Sequence, residues 1–174
     1  MVQAMCTPTE QVAARCQAHH WTRSNTIMAA VVGSLLLSLC WFRVNVEPSV
    51  PRGVYRLHAI RAPLTRGMLV MLPVPASVQR WKARWMSLLK PIAAVAGDVV
   101  CVEDDGLRIG AESYGRVYTE AGGYPLPHIT GCLTVGAGEV FVASKGYRSL
   151  DSRYFGSVRV QDLTAWATPV LVWR

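Results

Sequence analysis

Residues 48–56 have the sequence Pro-Ser-Val-Pro-Arg-Gly-Val-Tyr-Arg and begin six residues after an apolar run that ends at Phe42. A single serine, Ser49, lies between the two prolines, and a glycine follows the second proline by two residues. Proline fixes φ and glycine permits conformations that other residues resist, so this composition predicts a tight turn with the hydroxyl at a defined, exposed point. Such a hydroxyl suits a nucleophile, but similar residues also form ordinary turns between a membrane helix and a strand. The partners of Ser49 must decide between these two interpretations.

Length, composition and charge limit the class of protein. The chain has 174 residues, of which 51% are hydrophobic and 17% are charged. This length accommodates one compact domain plus an anchor, and the composition is typical of a single-span membrane protein. The net charge is +7, and basic residues far outnumber the single acidic residue, Glu47, between residues 43 and 90. A basic cluster beside a span favours contact with anionic lipid, and no pattern favours nucleic-acid binding.

Residues 24–42 carry no charge and are mostly apolar. About 20 helical residues cross a bilayer core, so this run predicts one transmembrane helix, with Trp21 and Trp41 at the interfaces. No small-x-small cleavage site follows it, which favours a retained anchor over a signal peptide. The sequence thus predicts a tail at 1–23, an anchor at 24–42 and a folded domain at 43–174. Positive charges flank both ends of the span, and a literal count favours a domain on the cytoplasmic side.

Beyond the anchor, short alternating segments predict a mainly β domain without a long helix after residue 90. Apolar residues at helical spacing predict a short amphipathic helix at 76–89, which lies either on the bilayer surface or against the core. Residues 101–138 are rich in glycine and proline and are expected to be largely irregular. Residues 169–173 are expected to be an apolar end. Strands are predicted at 54–57, 68–72, 90–100 around a Gly-Asp turn, 138–143 and 158–160.

Lys90 belongs to the predicted strand that precedes the Gly-Asp turn. Alternate side chains of a strand share a face, so Lys90 lies with Leu88, Ile92 and Ala94 on an apolar face. Desolvation lowers the pKa of a lysine, and a fall of about two units raises its neutral fraction at pH 7.4 from about 0.1% to about 10%. A neutral lysine can accept the proton of a serine hydroxyl, as in Ser/Lys variants of the catalytic triad. The structural alternative is a lysine at a strand end that reaches water.

The third notable segment, residues 149–153, reads Ser-Leu-Asp-Ser-Arg. On an extended chain, Asp151 and Arg153 point to the same side and can form an ion pair. As a surface pair it would contribute little to stability, and many such pairs occur by chance. The significance of this segment therefore depends on its combination with the other two.

Together, the Ser49 turn, the Lys90 segment and residues 149–156 resemble the type I signal peptidases, a family of Ser/Lys proteases. The resemblance is closest to the conjugative-transfer signal peptidases, which mature the pilin of plasmid transfer systems. It covers residues 44–160. It implies a mainly β, signal-peptidase-like domain with a short helix, preceded by one N-terminal transmembrane helix.

The resemblance also implies roles for individual residues. Ser49 would be the nucleophile and Lys90 the general base. Ser149 would hold the lysine amine by a hydrogen bond, and Asp151 and Arg153 would brace the site. The backbone N–H of Ser49 would form part of the oxyanion hole.

Glu47 departs from the family pattern, because the position two before the nucleophile often carries a hydroxyl that completes the oxyanion hole. An ionised carboxylate there would repel an oxyanion. Glu47 is therefore expected to turn away, to be protonated, or to have another role.

The remaining cysteines and histidines are not expected to take part in catalysis, and His58 and His128 are expected to be structural or exposed. Cys101 and Cys132 are the only cysteines beyond the predicted span, and in an extracytoplasmic domain they are either a disulfide or two free thiols. The cysteines and histidines of the N-terminal tail lack zinc-ligand spacing, so no metal site is predicted. His58 and His128 have no visible catalytic partner.

The resemblance therefore implies a membrane-anchored serine endopeptidase with its domain on the periplasmic side of the bacterial cytoplasmic membrane. The expected partners are a pilin precursor or another secreted precursor, the membrane, and components of a conjugative (type IV secretion) apparatus, without a cofactor or nucleic acid. The acyl group would pass to water or, in pilin-cyclising members, to the N-terminal amine of the same substrate. The alternatives are a general type I signal peptidase and a catalytically inactive adaptor of a secretion apparatus.

Overall fold

The structure, a computed structural model, describes residues 25–34, 41–61, 63–104, 106–145 and 148–173. The chain divides into two compact units, Met1–Trp41 and Phe42–Arg174. In the first unit, residues 25–34 are helical.

The predicted anchor and tail fall largely on residues that the structure does not describe. The tail at 1–23 lies wholly outside the described residues, as do residues 24 and 35–40 of the anchor. In the described part of the chain, no helix combines the length and apolar character that a membrane crossing requires.

The second unit is mainly β, as the sequence predicts. Its described residues form thirteen strands: β1 (Phe42–Asn45), β2 (Arg52–His58), β3 (Leu69–Pro73), β4 (Ser87–Val95), β5 (Val99–Glu103), β6 (Gly106–Ile109), β7 (Glu112–Arg116), β8 (Glu120–Ala121), β9 (Tyr124–Pro125), β10 (Gly131–Thr134), β11 (Glu139–Val142), β12 (Val158–Arg159) and β13 (Ala165–Trp173). Helical structure in this unit is limited, among those residues, to the short α-helix Ser152–Phe155 and single 3₁₀ turns at Ala76–Val78 and Val160–Asp162.

Seven strands form one antiparallel sheet in the order β1-β2-β13-β3-β4-β11-β12. The strand predictions at 54–57, 68–72 and 138–143 are confirmed, as is the strand–turn–strand at 90–100. The predicted apolar end at 169–173 forms part of a strand, since it belongs to β13 and pairs with β2. β4 lies between β3 and β11, and its central residues are buried on both faces.

Gly53 is required by strand pairing, not by the backbone conformation of the turn. A Cβ at this position would lie 2.2 Å from the carbonyl oxygen of Leu171 in β13, which is closer than van der Waals contact allows. The glycine that follows Ser49 therefore permits close approach of β2 and β13, and so fixes where the turn leaves the sheet.

Residues 101–138 are more regular than predicted. They form most of a four-stranded antiparallel sheet, β10-β5-β6-β7, and the two-stranded hairpin β8-β9. Cys101 of β5 and Cys132 of β10 are directly opposite each other and form a disulfide. Of the two alternatives for these cysteines, the structure has the disulfide.

The prediction of a helix at 76–89 is wrong. One 3₁₀ turn, Ala76–Val78, is followed by further turns, and the last three residues of the predicted helix pair with β3 as the start of β4. Long-range sheet pairing and packing override the local helical pattern, in which valine, tryptophan and serine are weak helix formers. Trp81 packs against the core, as one of the two alternatives for this segment expects, whereas Trp85 is 85% exposed.

Replacing Cys101 and Cys132 together with serine should lower the free energy of unfolding by roughly 3–4 kcal/mol, because the disulfide closes a loop of 31 residues in the unfolded chain. Denaturant unfolding of the detergent-solubilised protein, followed by circular dichroism, measures the change. Treating the wild-type protein with a reductant should reproduce the loss. Equal stability of the double variant and the wild type would show that the thiols are unpaired.

Candidate active site

Asn45 holds the turn that carries Ser49. Asn45 is the last residue of β1 and is buried, and its side-chain N–H groups donate to the carbonyl oxygens of Glu47, Val50 and Pro51 at 2.9, 3.2 and 3.2 Å. Its carbonyl oxygen accepts from the backbone N–H of Glu47 at 3.4 Å. These acceptors and this donor lie on both sides of Ser49, so one side chain fixes the backbone before and after the serine.

Lys90 reaches the Ser49 hydroxyl from the middle of the large sheet. The residue lies in β4, opposite Val70 of β3, and only 1% of it is exposed. Its Nζ lies 2.7 Å from Ser49 Oγ and 3.2 Å from Ser149 Oγ. The structure therefore brings together three of the residues that the sequence singled out, and it contradicts the alternative of a Lys90 side chain that reaches water.

Burial lowers the pKa of Lys90 from 10.5 to about 8. The nearby Asp151 carboxylate opposes this shift, whereas the positive charges of Lys82 and Arg153 add to it. With a pKa of about 8, about a fifth of the amine is neutral at pH 7.4. The amine can then accept the proton of the hydroxyl beside it.

Asp151 and Arg153 form an ion pair, but not the extended surface pair that the sequence predicts. Asp151 caps the helix Ser152–Phe155, and its Oδ1 lies 2.7 Å from Arg153 Nε. The two side chains are 0% and 1% exposed. Arg153 also donates to the carbonyl oxygens of Ser144 at 2.8 Å and Arg116 at 3.0 Å. Because both charges are buried and fully bonded, removing one partner would leave the other uncompensated, so the pair fixes this segment beside the site.

Ser49 and Lys90 open into a cleft of about 570 Å³ in the second unit. Trp81 lines one part of the cleft, and its indole N–H donates to the carbonyl oxygen of Ala121 at 3.1 Å, which joins the segment after the 3₁₀ turn to the β8-β9 hairpin. The cleft is more apolar than polar, apart from a few charged side chains, as expected of a site that binds a peptide segment.

Glu47 also lines this cleft, where its carboxylate forms an ion pair with Lys82. Of the three outcomes expected for Glu47, this ion pair corresponds to the third, a role other than in the oxyanion hole. The negative charge close to Ser49 is matched by an ammonium group, which reduces its repulsion of an oxyanion.

Sequence analysis did not identify Asn45, Trp81 or Lys82 as parts of the site. Asparagine commonly bonds to backbone groups of a nearby turn, so the position of Asn45 shortly before the Ser49 turn was a usable signal. No comparable signal exists for Trp81 and Lys82, since their place in the cleft depends on packing between distant segments.

His58 and His128 have structural contacts, with Thr168 Oγ1 at 2.9 Å and the carbonyl oxygen of Leu126 at 3.0 Å. Among the described residues, the one cluster of metal-ligand side chains comprises Cys101, Glu103 and Cys132. Two of its members are joined in the disulfide, so this cluster has no free thiolate to offer a metal.

Comparison with known families agrees with the chemistry of the cleft. The family model for signal peptidase, peptidase S26, matches residues 19–173. The chain therefore belongs to the S26 signal peptidase family of serine peptidases, and the resemblance found in its motifs is confirmed. Membership of this family indicates a membrane-associated protein.

Relatives that resemble this chain over most of its length include several TraF proteins. Conjugal transfer protein TraF of Agrobacterium tumefaciens is 30% identical over 157 residues, which cover 76% of this chain and 84% of that protein. Plasmid transfer protein TraF of Escherichia coli is 27% identical over 169 residues, which cover 84% of this chain and 94% of that protein. A solved signal peptidase I from Enterococcus faecalis is 24% identical, with a TM-score of 0.40 over 63% of this chain and 100% of that one.

The Asn45→Asp variant should reduce kcat by about 10- to 100-fold with little change in KM, because a carboxylate facing three carbonyl oxygens displaces the Ser49 turn. Steady-state cleavage kinetics measure both constants. Gln79→Glu is the matched control, since Gln79 donates to a backbone carbonyl outside the cleft. Wild-type kcat in Asn45→Asp, with only a lower melting temperature, would limit Asn45 to a structural role.

The pH dependence of cleavage should follow the neutral form of Lys90. Because its pKa is lowered to about 8, kcat/KM should rise with pH and reach half its maximum near pH 8. The measurement is the initial cleavage rate at low substrate concentration between pH 6 and pH 10. A rate that is constant over this range would contradict Lys90 as the base.

Proposed function

We propose that this chain is a membrane-anchored serine endopeptidase in which Lys90 activates Ser49, and that it cleaves a pilin precursor during conjugative transfer. The observation that carries the proposal is the buried Lys90 amine, 2.7 Å from the Ser49 hydroxyl, where both residues line a cleft. The proposed process is supported by the names of the relatives, which are conjugal and plasmid transfer proteins. Family and relatives together support a peptidase-like role in conjugation.

Acylation would begin when Ser49 Oγ attacks the carbonyl carbon of the scissile bond and its proton passes to Lys90 Nζ. The carbonyl oxygen becomes an oxyanion, which the backbone N–H of Ser49 helps to stabilise. As the C–N bond breaks, Lys90 Nζ gives the proton to the leaving amine, and an ester to Ser49 remains. Ser149 Oγ, 3.2 Å from Lys90 Nζ, accepts a hydrogen bond that orients the amine towards Ser49.

Deacylation would repeat these steps with a second nucleophile. A water molecule gives a linear product, whereas the neutral N-terminal amine of the same substrate gives a cyclic one. In both cases Lys90 takes a proton from the nucleophile and returns it to Ser49 Oγ as the ester bond breaks. Ring closure competes with hydrolysis when the amine is held close to the ester, because proximity replaces a high concentration of nucleophile. The two products differ in mass by one water molecule.

We place the catalytic domain on the periplasmic side of the cytoplasmic membrane. The Cys101–Cys132 disulfide supports this placement, since disulfides persist in oxidising compartments. Large apolar side chains are exposed on strands β1 and β13, and they favour contact with the bilayer, with a membrane-bound precursor or with components of the transfer apparatus.

The Ser49→Ala and Lys90→Ala variants should leave a candidate pilin precursor uncut, because the first lacks the nucleophile and the second lacks the base. The test is co-expression with the precursor, followed by intact-mass analysis of the precursor and its products. Ser113→Ala and Lys145→Ala are matched controls, since both residues are exposed and lie outside the cleft. Both controls should process the precursor as the wild type does.

Normal processing by Ser49→Ala or Lys90→Ala would contradict the proposed pair. If folded wild-type protein leaves every candidate precursor intact, the result favours the inactive adaptor. If it cuts many unrelated secreted precursors, the result favours a general signal peptidase.

A further inference from the structure

A second ammonium group lies in the same cleft as Lys90. Lys82 belongs to the irregular segment that precedes β4, and its side chain is only 15% exposed. It forms an ion pair with Glu47, and both residues line the cleft together with Ser49 and Lys90. The chemistry proposed above does not use Lys82, so the burial of most of its side chain needs another explanation.

Glu47 is fixed to the same backbone as the nucleophile. Asn45 bonds to both the carbonyl oxygen and the N–H of Glu47, and Glu47 precedes Ser49 by two residues. Its carboxylate therefore offers Lys82 an anchoring point with a fixed relation to Ser49. The long, flexible lysine side chain is thereby held in the cleft instead of extending into water.

Three charges act on Lys90. Asp151 favours the protonated amine and has the strongest effect, whereas Lys82 and then Arg153 disfavour it. Asp151 and Arg153 are paired with each other and do not line the cleft, so Lys82 is the one of these three charged residues that lies in the cleft with Lys90. Of the two strands that flank β4, β3 has no charged residue, and Glu139 of β11 is hydrogen-bonded to Ser157. The other titratable or charged groups of the cleft are Glu47, Tyr118, Glu120, Arg148 and Tyr154.

A buried base beside a carboxylate tends to hold its proton, because the negative charge stabilises the protonated form. A second positive charge near the base counteracts this effect. We propose that Lys82, held in place by Glu47, is a positioning residue whose charge keeps the Lys90 amine available as the base for Ser49. The inference rests on the proposed function, since it requires Lys90 to be the base. It also gives a reason for a carboxylate at position 47, where the family pattern favours a hydroxyl.

Lys82→Met should shift the acidic limb of the pH–rate profile to higher pH by roughly half a unit, with a rate at pH 7 roughly threefold lower. Raising the pH should recover the lost rate, since the variant changes the protonation of Lys90 and not its position. Lys82→Arg, which keeps the charge, should restore the wild-type midpoint. The experiment uses the full chain in detergent and the precursor that the wild type cleaves.

Arg84→Met is the matched control, because Arg84 lies in the same segment, is exposed and does not line the cleft. It removes one positive charge as Lys82→Met does, and its profile should match that of the wild type. If Arg84→Met shifts the profile as far as Lys82→Met, net charge explains the effect and the proposal is wrong. An unshifted profile in Lys82→Met would also overturn it.

The two proposals fail in different ways. If Lys90→Ala still cleaves the precursor, the function proposed above is wrong. If Lys90→Ala is inactive and Lys82→Met is unshifted, only the role of Lys82 is wrong. Lys82→Gln provides a second neutral side chain if Lys82→Met does not fold, and melting temperatures of all variants separate a loss of folded protein from a shift in profile.

Discussion

The burial of the Lys90 amine governs the rest of the site. An ammonium group in the middle of a sheet loses its water, and among the residues that the structure describes its hydrogen-bond partners are two hydroxyl groups, those of Ser49 and Ser149. A pKa lowered from 10.5 to about 8 corresponds to about 3 kcal/mol of stability. This cost applies in full below pH 8 and disappears as the pH rises towards 10.5, because the unfolded chain then also loses the proton. The domain is thus less stable at neutral pH in exchange for a basic group beside its serine.

Charge pairing makes this burial compatible with a folded site. Asp151 and Arg153 neutralise each other behind Lys90, and the second carboxylate close to Ser49, that of Glu47, is paired with Lys82. Each pairing weakens the tendency of the carboxylate to favour a protonated lysine or to repel an oxyanion. Burial remains the largest influence on the base, with smaller effects from Asp151, Lys82 and Arg153.

The parts of the site that the sequence revealed are those encoded by local patterns. The proline-bounded turn marked Ser49, and the strand predicted around residue 90 placed Lys90 on an apolar face, although a side chain that reaches water remained an alternative until the structure showed Lys90 buried. The parts that it missed depend on contacts between distant segments. Residues predicted to end the helix at 76–89 instead pair with β3. Asp151, predicted to lie in an extended segment, instead caps the helix Ser152–Phe155. Gly53 was assigned to the turn, although β13, more than a hundred residues later, is what requires it.

The most direct test of this account is the titration of Lys90 itself. The chain has only three lysines, Lys82, Lys90 and Lys145, so a protein with ¹³C-labelled lysine side chains gives few signals, and Lys90→Met assigns one of them. The account predicts that the Lys90 signal titrates with a midpoint near pH 8. A midpoint near the ordinary lysine value of 10.5 would show an amine that stays protonated at neutral pH and would contradict it.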